Sequence, residues 1–351
     1  MDVIQGREPQ PNARVGARAV ALQYLRWIIG LAVLAWVIRA NGGWRVLRLP
    51  IEFPGAIAAL TLSVFVGATV EAQRLRILCN ATVATISYRF SWRLVAVASL
   101  FSTTLPGGTG GDVVKLITLD AHRAGHRAEF LVLLFLDRLV GLVSLLIVGL
   151  MSFALSAYLT DIPVQVTSVV VMPSAALLGA VALIAYVARS GPRTMLLRMI
   201  PPRWTRLHGL LQRAFRTADL VQRRPGVLAR ALAVSSLAQL SYAIAFAISA
   251  RLLMPEANPL LAPSLAFIGL IVNAIPLTPS GIGVGEAAFE TLFRLHGVPG
   301  GARLLLCLRI AQLALAVVGA VLYLHRGVRS GVPDSRSTDV SPQHQGGGAA
   351  S

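Results

Sequence analysis

The chain has 351 residues, of which 55% are hydrophobic and only 13% charged, and its mean hydropathy is +0.69. A soluble protein covers its surface with about a quarter of charged residues, so a chain with half that share must turn most of its surface to lipid or to other helices. The net charge of +17 does not mark a nucleic-acid-binding protein, because the basic residues sit between hydrophobic runs as topology signals do, and the isolated Cys79 and Cys307 exclude a disulfide framework or a structural zinc site.

Residues 1–23 are polar and Arg-bearing, and the apolar run after them lacks a small-residue cleavage pattern. They read as a cytoplasmic tail leading into a retained helix. Apolar runs follow at 27–38 and 53–70, and Arg74, Arg76, Arg89 and Arg93 mark the next connection as cytoplasmic. A shorter run, 94–105, is interrupted by Pro106, Gly107, Gly108, Thr109, Gly110, Gly111 and Asp112. Beyond it, 113–119 reads as a short new helix, and 115–127 holds three basic side chains, two histidines and one acid. The long run 130–155 contains Asp137 and Arg138, and 166–187 follows it. Residues 189–224 carry nine arginines and a single Asp219, the strongest cytoplasmic signal in the chain. Apolar spacing over 207–221 predicts that part of this connection lies along the membrane surface. After the run 227–254 comes a second short one, 260–275, interrupted by Pro279, Ser280, Gly281, Ile282, Gly283, Val284 and Gly285 before Glu286 opens a helix to Leu295. The last run, 304–324, contains Arg309 and Gln312, and residues 327–351 have the composition of a disordered tail.

Loop charge gives this order a topology. The connections 160–165 and 255–259 carry one acid each and no base, as expected outside, although Arg39, Arg45 and Arg48 fall on the wrong side of the scheme. If 94–105 crossed the membrane completely, the basic stretch 115–127 would lie outside. A broken hairpin that enters and leaves from the cytoplasm removes the conflict, and the same count makes the second interrupted segment return to the outer face. The expected fold is therefore all-α: a polytopic integral membrane helix bundle over 24–326 with about six full spans and two broken re-entrant hairpins, arranged as an inverted repeat. The competing reading is eight simple spans, two of them kinked by glycine.

Irregular backbone cannot face hydrocarbon, because each unpaired N–H or C=O there costs several kcal/mol. The two interruptions must be covered by protein or line a wet cavity. Glycine permits close approach, Pro106 ends the incoming helix, and the free N–H groups of a restarted helix suit an anionic group. Asp112 has two readings: it satisfies those N–H groups itself, or it meets a cation or proton while Lys115, one turn on, meets a phosphate. Glu286 has the same two readings, and Glu290 lies one turn beyond it on the same face, where two like charges need a proton, a partner or water. Asp137 and Arg138, adjacent on one helix, each require a partner from another segment. Structural pairs such as Asp112 with Arg138 and Glu286 with Arg309 are one account of these charges, and a held lipid headgroup is the other. Gln239 and Tyr242 read as interhelical glue. Neither glycine motif has the setting of a nucleotide-binding loop, and the histidines are scattered, so no enzyme chemistry and no cofactor or metal is expected.

The segment 101–119 with LPGGTGGDVVK, the Asp137-Arg138 pair, and 279–289 with PSGIGVGEAAF resemble the membrane region of lysylphosphatidylglycerol synthases and related flippase-like proteins. QRLRIL at 73–78 is similar to the family's basic exit from its second span, and Lys115 stands where the family usually has Arg. The resemblance covers about residues 20–326 and implies a multi-pass protein of a bacterial cytoplasmic membrane, in which the flanking basic residues, His325, Arg326 and Arg329 at the C-terminal side, are expected to keep both termini cytoplasmic. It implies a lipid flippase that binds an anionic or zwitterionic headgroup between the broken helices, at Pro106–Asp112, Lys115, Asp137, Arg138, Pro279, Gly281, Gly283, Gly285, Glu286, Glu290 and Arg309. An aminoacyl phospholipid, a hopanoid, a glycolipid or a polyprenyl phosphate fits that description. The aminoacyl-transferring soluble domain of the synthases has no counterpart in this sequence, so that activity is not expected. The alternative implied role is a non-transporting subunit that presents a lipid to a partner glycosyltransferase or lipid-modifying enzyme.

Overall fold

Long apolar segments satisfy their own backbone hydrogen bonds only as helices, and among the described residues every regular element is one. The structure, a computed structural model, describes residues 48–102, 110–162, 164–187, 209, 212, 219, 224–274 and 283–326. The expected tail and first span, most of the Arg-rich connection, Pro106, Gly107, Gly108, Thr109, Pro279, Gly281 and the tail beyond 326 lie outside the described residues. After a single turn at Leu49–Glu52, the helices are α1 (Pro54–Thr82), α2 (Tyr88–Ser102), α3 (Gly110–His122), α4 (Arg127–Leu159), α5 (Val164–Val187), α6 (Pro225–Leu253), α7 (Ala262–Asn273), α8 (Val284–Leu295) and α9 (Gly301–Arg326). Pro54 and Pro225 stand in the first turn of α1 and α6, where a missing N–H costs nothing.

Among the described residues, α1, α4, α5, α6 and α9 are long and apolar enough to cross a membrane. The other four have 15, 13, 12 and 12 residues. At 1.5 Å per residue they reach about 18–22 Å, short of the roughly 30 Å of a hydrocarbon core. The first long helix departs from the sequence reading. Arg74 and Arg76 are expected in a cytoplasmic connection, yet α1 runs on through both to Thr82, with Arg74 in the bundle interior. The charge is accommodated because partners on two other helices meet it there.

The bundle is organised around α1 and α6, which pack along most of their lengths. They run antiparallel. Ser249 Oγ donates to the Ala56 carbonyl, Arg74 to Ser235 Oγ, and Arg224 to the Ala81 carbonyl. Small residues let the two backbones approach, with Gly67 lying against the Tyr242 ring. Phe246 of α6 meets Phe267 of α7 edge-on at 5.8 Å, and both are buried.

The short helices come in pairs that double back. In α2–α3 the Phe90 and His122 rings stack at 5.1 Å at one end, while Gly111 lies beside Ala98 and Ser102 at the other. In α7–α8, Gly269 lies against Phe289 and Gly285 against Asn273. The two arms of each pair are thus side by side, not end to end as in a kinked span. Arg123, just past α3, donates to the Val83 carbonyl at the C-terminal end of α1. Gly300, just past α8, abuts Met254 at the C-terminal end of α6. Because α1 and α6 are antiparallel, the open ends of the two hairpins lie at opposite ends of the central pair.

Gly111 and Gly285 occupy matching places, each facing the last residue of the preceding arm, Ser102 or Asn273. A Cβ on Gly111 would stand 2.8 Å from the Ala98 carbonyl oxygen, a backbone atom that cannot rotate away. Gly111→Ala is therefore expected to wedge the first hairpin open at a cost of about 1–3 kcal/mol. Thermal unfolding of the detergent-solubilised protein checks this, with Gly179→Ala in α5 as a reference, because a Cβ there meets no atom within 4 Å.

Candidate functional site

Among the described residues, four ion pairs each join two different helices. Arg74 of α1 binds Asp137 of α4 through Nε and Nη2 at 2.6 and 2.8 Å, and its Nη1 donates to Ser235 Oγ of α6 at 2.9 Å. Lys115 of α3 pairs with Glu71 of α1 and lies 4.0 Å from Asp112. Arg138 of α4 pairs with Asp112 of α3. Arg309 of α9 pairs with Glu286 of α8 through Nε at 2.8 Å, and its Nη2 donates to Asn273 Oδ1 of α7 at 3.2 Å. The two structural pairs expected from sequence, Asp112–Arg138 and Glu286–Arg309, both form. Asp137 and Arg138 do take partners from separate segments, Arg74 and Asp112.

Two of these pairs are built alike. Each hairpin has a close-approach glycine, Gly111 or Gly285, followed at once by a first-turn carboxylate, Asp112 or Glu286. That carboxylate reaches an arginine on the following long helix, Arg138 or Arg309. Glu286 also accepts the Gly283 N–H through Oε2 at 2.7 Å, so it stabilises the start of α8 while it holds Arg309. The halves differ one turn later. Lys115 follows Asp112 by three residues, whereas the fully buried Phe289 stands at that place after Glu286.

The hairpins and the central helices enclose a cavity of about 450 Å³. Ser99, Ser102 and Lys115 line it from the first hairpin, and Leu270, Asn273 and Ala274 from the second. Glu71 and Arg74 come from α1, Gln239 and Tyr242 from α6, and Arg309 and Gln312 from α9. Lys115, Arg74 and Arg309 are themselves buried, so each ammonium or guanidinium is held by protein oxygens at the wall.

Of the residues proposed from sequence, the structure brings Lys115 and Arg309 to the cavity wall. Asp137 sits directly behind the wall, on Arg74, and Glu286 on Arg309. Asp112 and Arg138 pair outside the cavity lining, with Asp112 still 4.0 Å from Lys115. Glu290 serves another purpose. It binds Arg294 at 2.7 Å and accepts the Gly300 and Ala302 N–H groups at 3.1 and 3.2 Å, capping the start of α9. Gly110, Gly111 and Gly285 are buried backbone positions within the hairpins.

Glu71, Arg74 and Asn273 are the wall residues that sequence reasoning passed over. The signal was present in α1, whose apolar residues continue as Ala72, Leu75, Leu78 and Cys79 past the charges. Asn273 was marked by its place, the last helical residue before a glycine break, which Ser102 occupies in the first hairpin.

The Arg74–Asp137 pair gives a direct stability test. Removing one member of a buried pair leaves an uncompensated charge, typically costing about 3–5 kcal/mol, whereas an apolar replacement of both recovers much of that. Asp137→Asn is expected to lower the unfolding temperature sharply in detergent, and Arg74→Met with Asp137→Leu to restore most of it.

Comparison with known proteins agrees with this architecture. No curated protein and no solved structure matches the chain. The sequence model described as the lysylphosphatidylglycerol synthase TM region matches residues 23–321, which includes every described helix through most of α9. The chain is a multi-pass membrane protein and belongs to the family of the lysylphosphatidylglycerol synthase TM region.

Proposed function

We propose that this protein moves a polar-headed membrane lipid between leaflets, with the headgroup passing through the cavity that both hairpins line. The observation that carries the reading is the cavity itself: about 450 Å³, lined by residues of two hairpins whose open ends lie at opposite ends of α1 and α6. That volume lies within the range of small-ligand sites and suits a headgroup without its acyl chains. In this reading each hairpin is re-entrant, one from each face of the membrane, and the two form an inverted repeat that provides alternating access. The family is one of membrane-embedded regions associated with a lipid synthase, which agrees with a lipid as the cargo.

The wall chemistry favours a zwitterionic or anionic headgroup. Three buried cations face or border the cavity, and each is matched by a carboxylate: Lys115 by Glu71, Arg74 by Asp137, Arg309 by Glu286. A phosphate competes for Lys115 and Arg309, while an amine on the same headgroup finds the half-exposed Glu71 that Lys115 gives up. Lys115–Glu71 joins α3 to α1, and Arg309–Glu286 joins α9 to α8, so headgroup binding would exchange contacts that hold the hairpins in place. Such an exchange ties occupancy to hairpin position.

Vesicles reconstituted with the full chain and a headgroup-labelled phospholipid test this, with a membrane-impermeant quencher reporting the outer leaflet. Lys115→Met and Glu71→Gln are each expected to slow movement about tenfold or more, as losing one charge-assisted hydrogen bond of about 1.5–3 kcal/mol would. Movement no faster than in protein-free vesicles, or unchanged rates in both folded variants, would sink the proposal.

A further inference from the structure

The Asp112–Arg138 pair is placed differently from its counterpart. The Arg309 side chain is 8% exposed, whereas that of Arg138 is 47% exposed. Arg138 shares a face of α4 with Leu131 and Phe135, seven and three residues before it, and both are exposed. On α3, Val113 and Ile117 are exposed as well, one immediately after Asp112 and one a turn further on. An ion pair therefore lies on the outer surface of the described bundle, among large apolar side chains that the described residues leave exposed.

Its depth makes that placement unusual. Arg138 lies about 16 Å along the roughly 50 Å of α4, so with α4 centred in the bilayer it is about 8 Å from the midplane, inside the roughly 15 Å half-thickness of hydrocarbon. Charge facing lipid tails at that level is costly, and intramembrane charges otherwise face a bundle interior or a wet cavity. Behind the pair the charges continue inward. Arg138 holds Asp112, Asp112 lies 4.0 Å from Lys115, and Lys115 holds Glu71 on the cavity wall. The alternating series crosses α3 from the lipid-facing side to the cavity.

We infer that the junction of α3 and α4 is a lateral access port, where Arg138 and Asp112 hold the phosphodiester headgroup of a membrane phospholipid whose acyl chains lie on Val113, Ile117, Leu131 and Phe135. The guanidinium matches a phosphate in a forked geometry, and the flanking apolar side chains match the chains below it. From this position the headgroup moves along the alternating charges toward Lys115. The port rests on the reading of the protein as one that handles a membrane lipid, and it adds where that lipid comes in.

A photo-crosslinking side chain, p-benzoylphenylalanine, at Phe135 of the full chain in nanodiscs of phosphatidylcholine and phosphatidylglycerol tests the port. Intact-mass analysis is expected to show one phospholipid adduct, reduced about tenfold by Arg138→Gln and recovered by Arg138→Lys. The same probe at the exposed Met151, further along α4, is expected to capture lipid equally in all three backgrounds. A second arm leaves Arg138 in place and substitutes monogalactosyl diacylglycerol for half of the phospholipid. Adducts that remain almost wholly phospholipid support the port, and capture of the phosphate-free lipid in proportion to its abundance overturns it. Phosphate-selective capture without transbilayer movement would leave the port standing and remove the transport reading. Movement without phosphate-selective capture would do the reverse.

Discussion

The Arg74–Asp137 contact is what allows the centre of this bundle to be polar. An unpaired guanidinium could not remain inside α1 at that level, and the helix would have to end before it. With Asp137 from α4 and Ser235 from α6 in place, three helices are tied at one point and α1 continues to Thr82. The continuation in turn presents Glu71 to Lys115, which holds the first hairpin against α1. One bidentate pair thus sets the length of the central helix, the position of the hairpin and the polarity of the cavity between them.

The sequence displays the broken helices clearly, because proline and clustered glycine interrupt apolar runs that are already too short to cross a membrane. It also displays the pairing of Asp112 with Arg138 and of Glu286 with Arg309, since a carboxylate at a helix start needs a partner and each arginine lay in the next apolar run. It conceals what depends on tertiary packing. Glu71 and Arg74 look like the edge of a cytoplasmic loop until their partners on α3, α4 and α6 are known. Glu290 looks like a second membrane carboxylate, although its lone pairs are taken by Arg294 and the N–H groups that open α9. Residue type and spacing identify a charge that requires explanation, but the fold alone says which helix supplies the explanation.

Similar construction with unequal chemistry runs through the molecule. Both hairpins use a glycine to bring their arms together and a carboxylate to reach the next helix. Only the first adds a lysine, and only the first carries its ion pair to the outer surface. In the second, Phe289 fills the corresponding place, and Arg309 turns inward to Asn273. The two hairpins therefore differ in surroundings, one ionic out to the bundle surface and the other with a buried aromatic ring at the matching place.

The antiparallel course of α1 and α6 has a consequence for biogenesis. Two central helices that run in opposite directions present much the same hydrophobic profile whichever end is inserted first, so they carry little information about which way up they belong. That information must reside in the connections, above all residues 189–224, where nine arginines face the single Asp219. The arginine excess outside the helices is thus an address label for the insertion machinery, written separately from the instructions for folding.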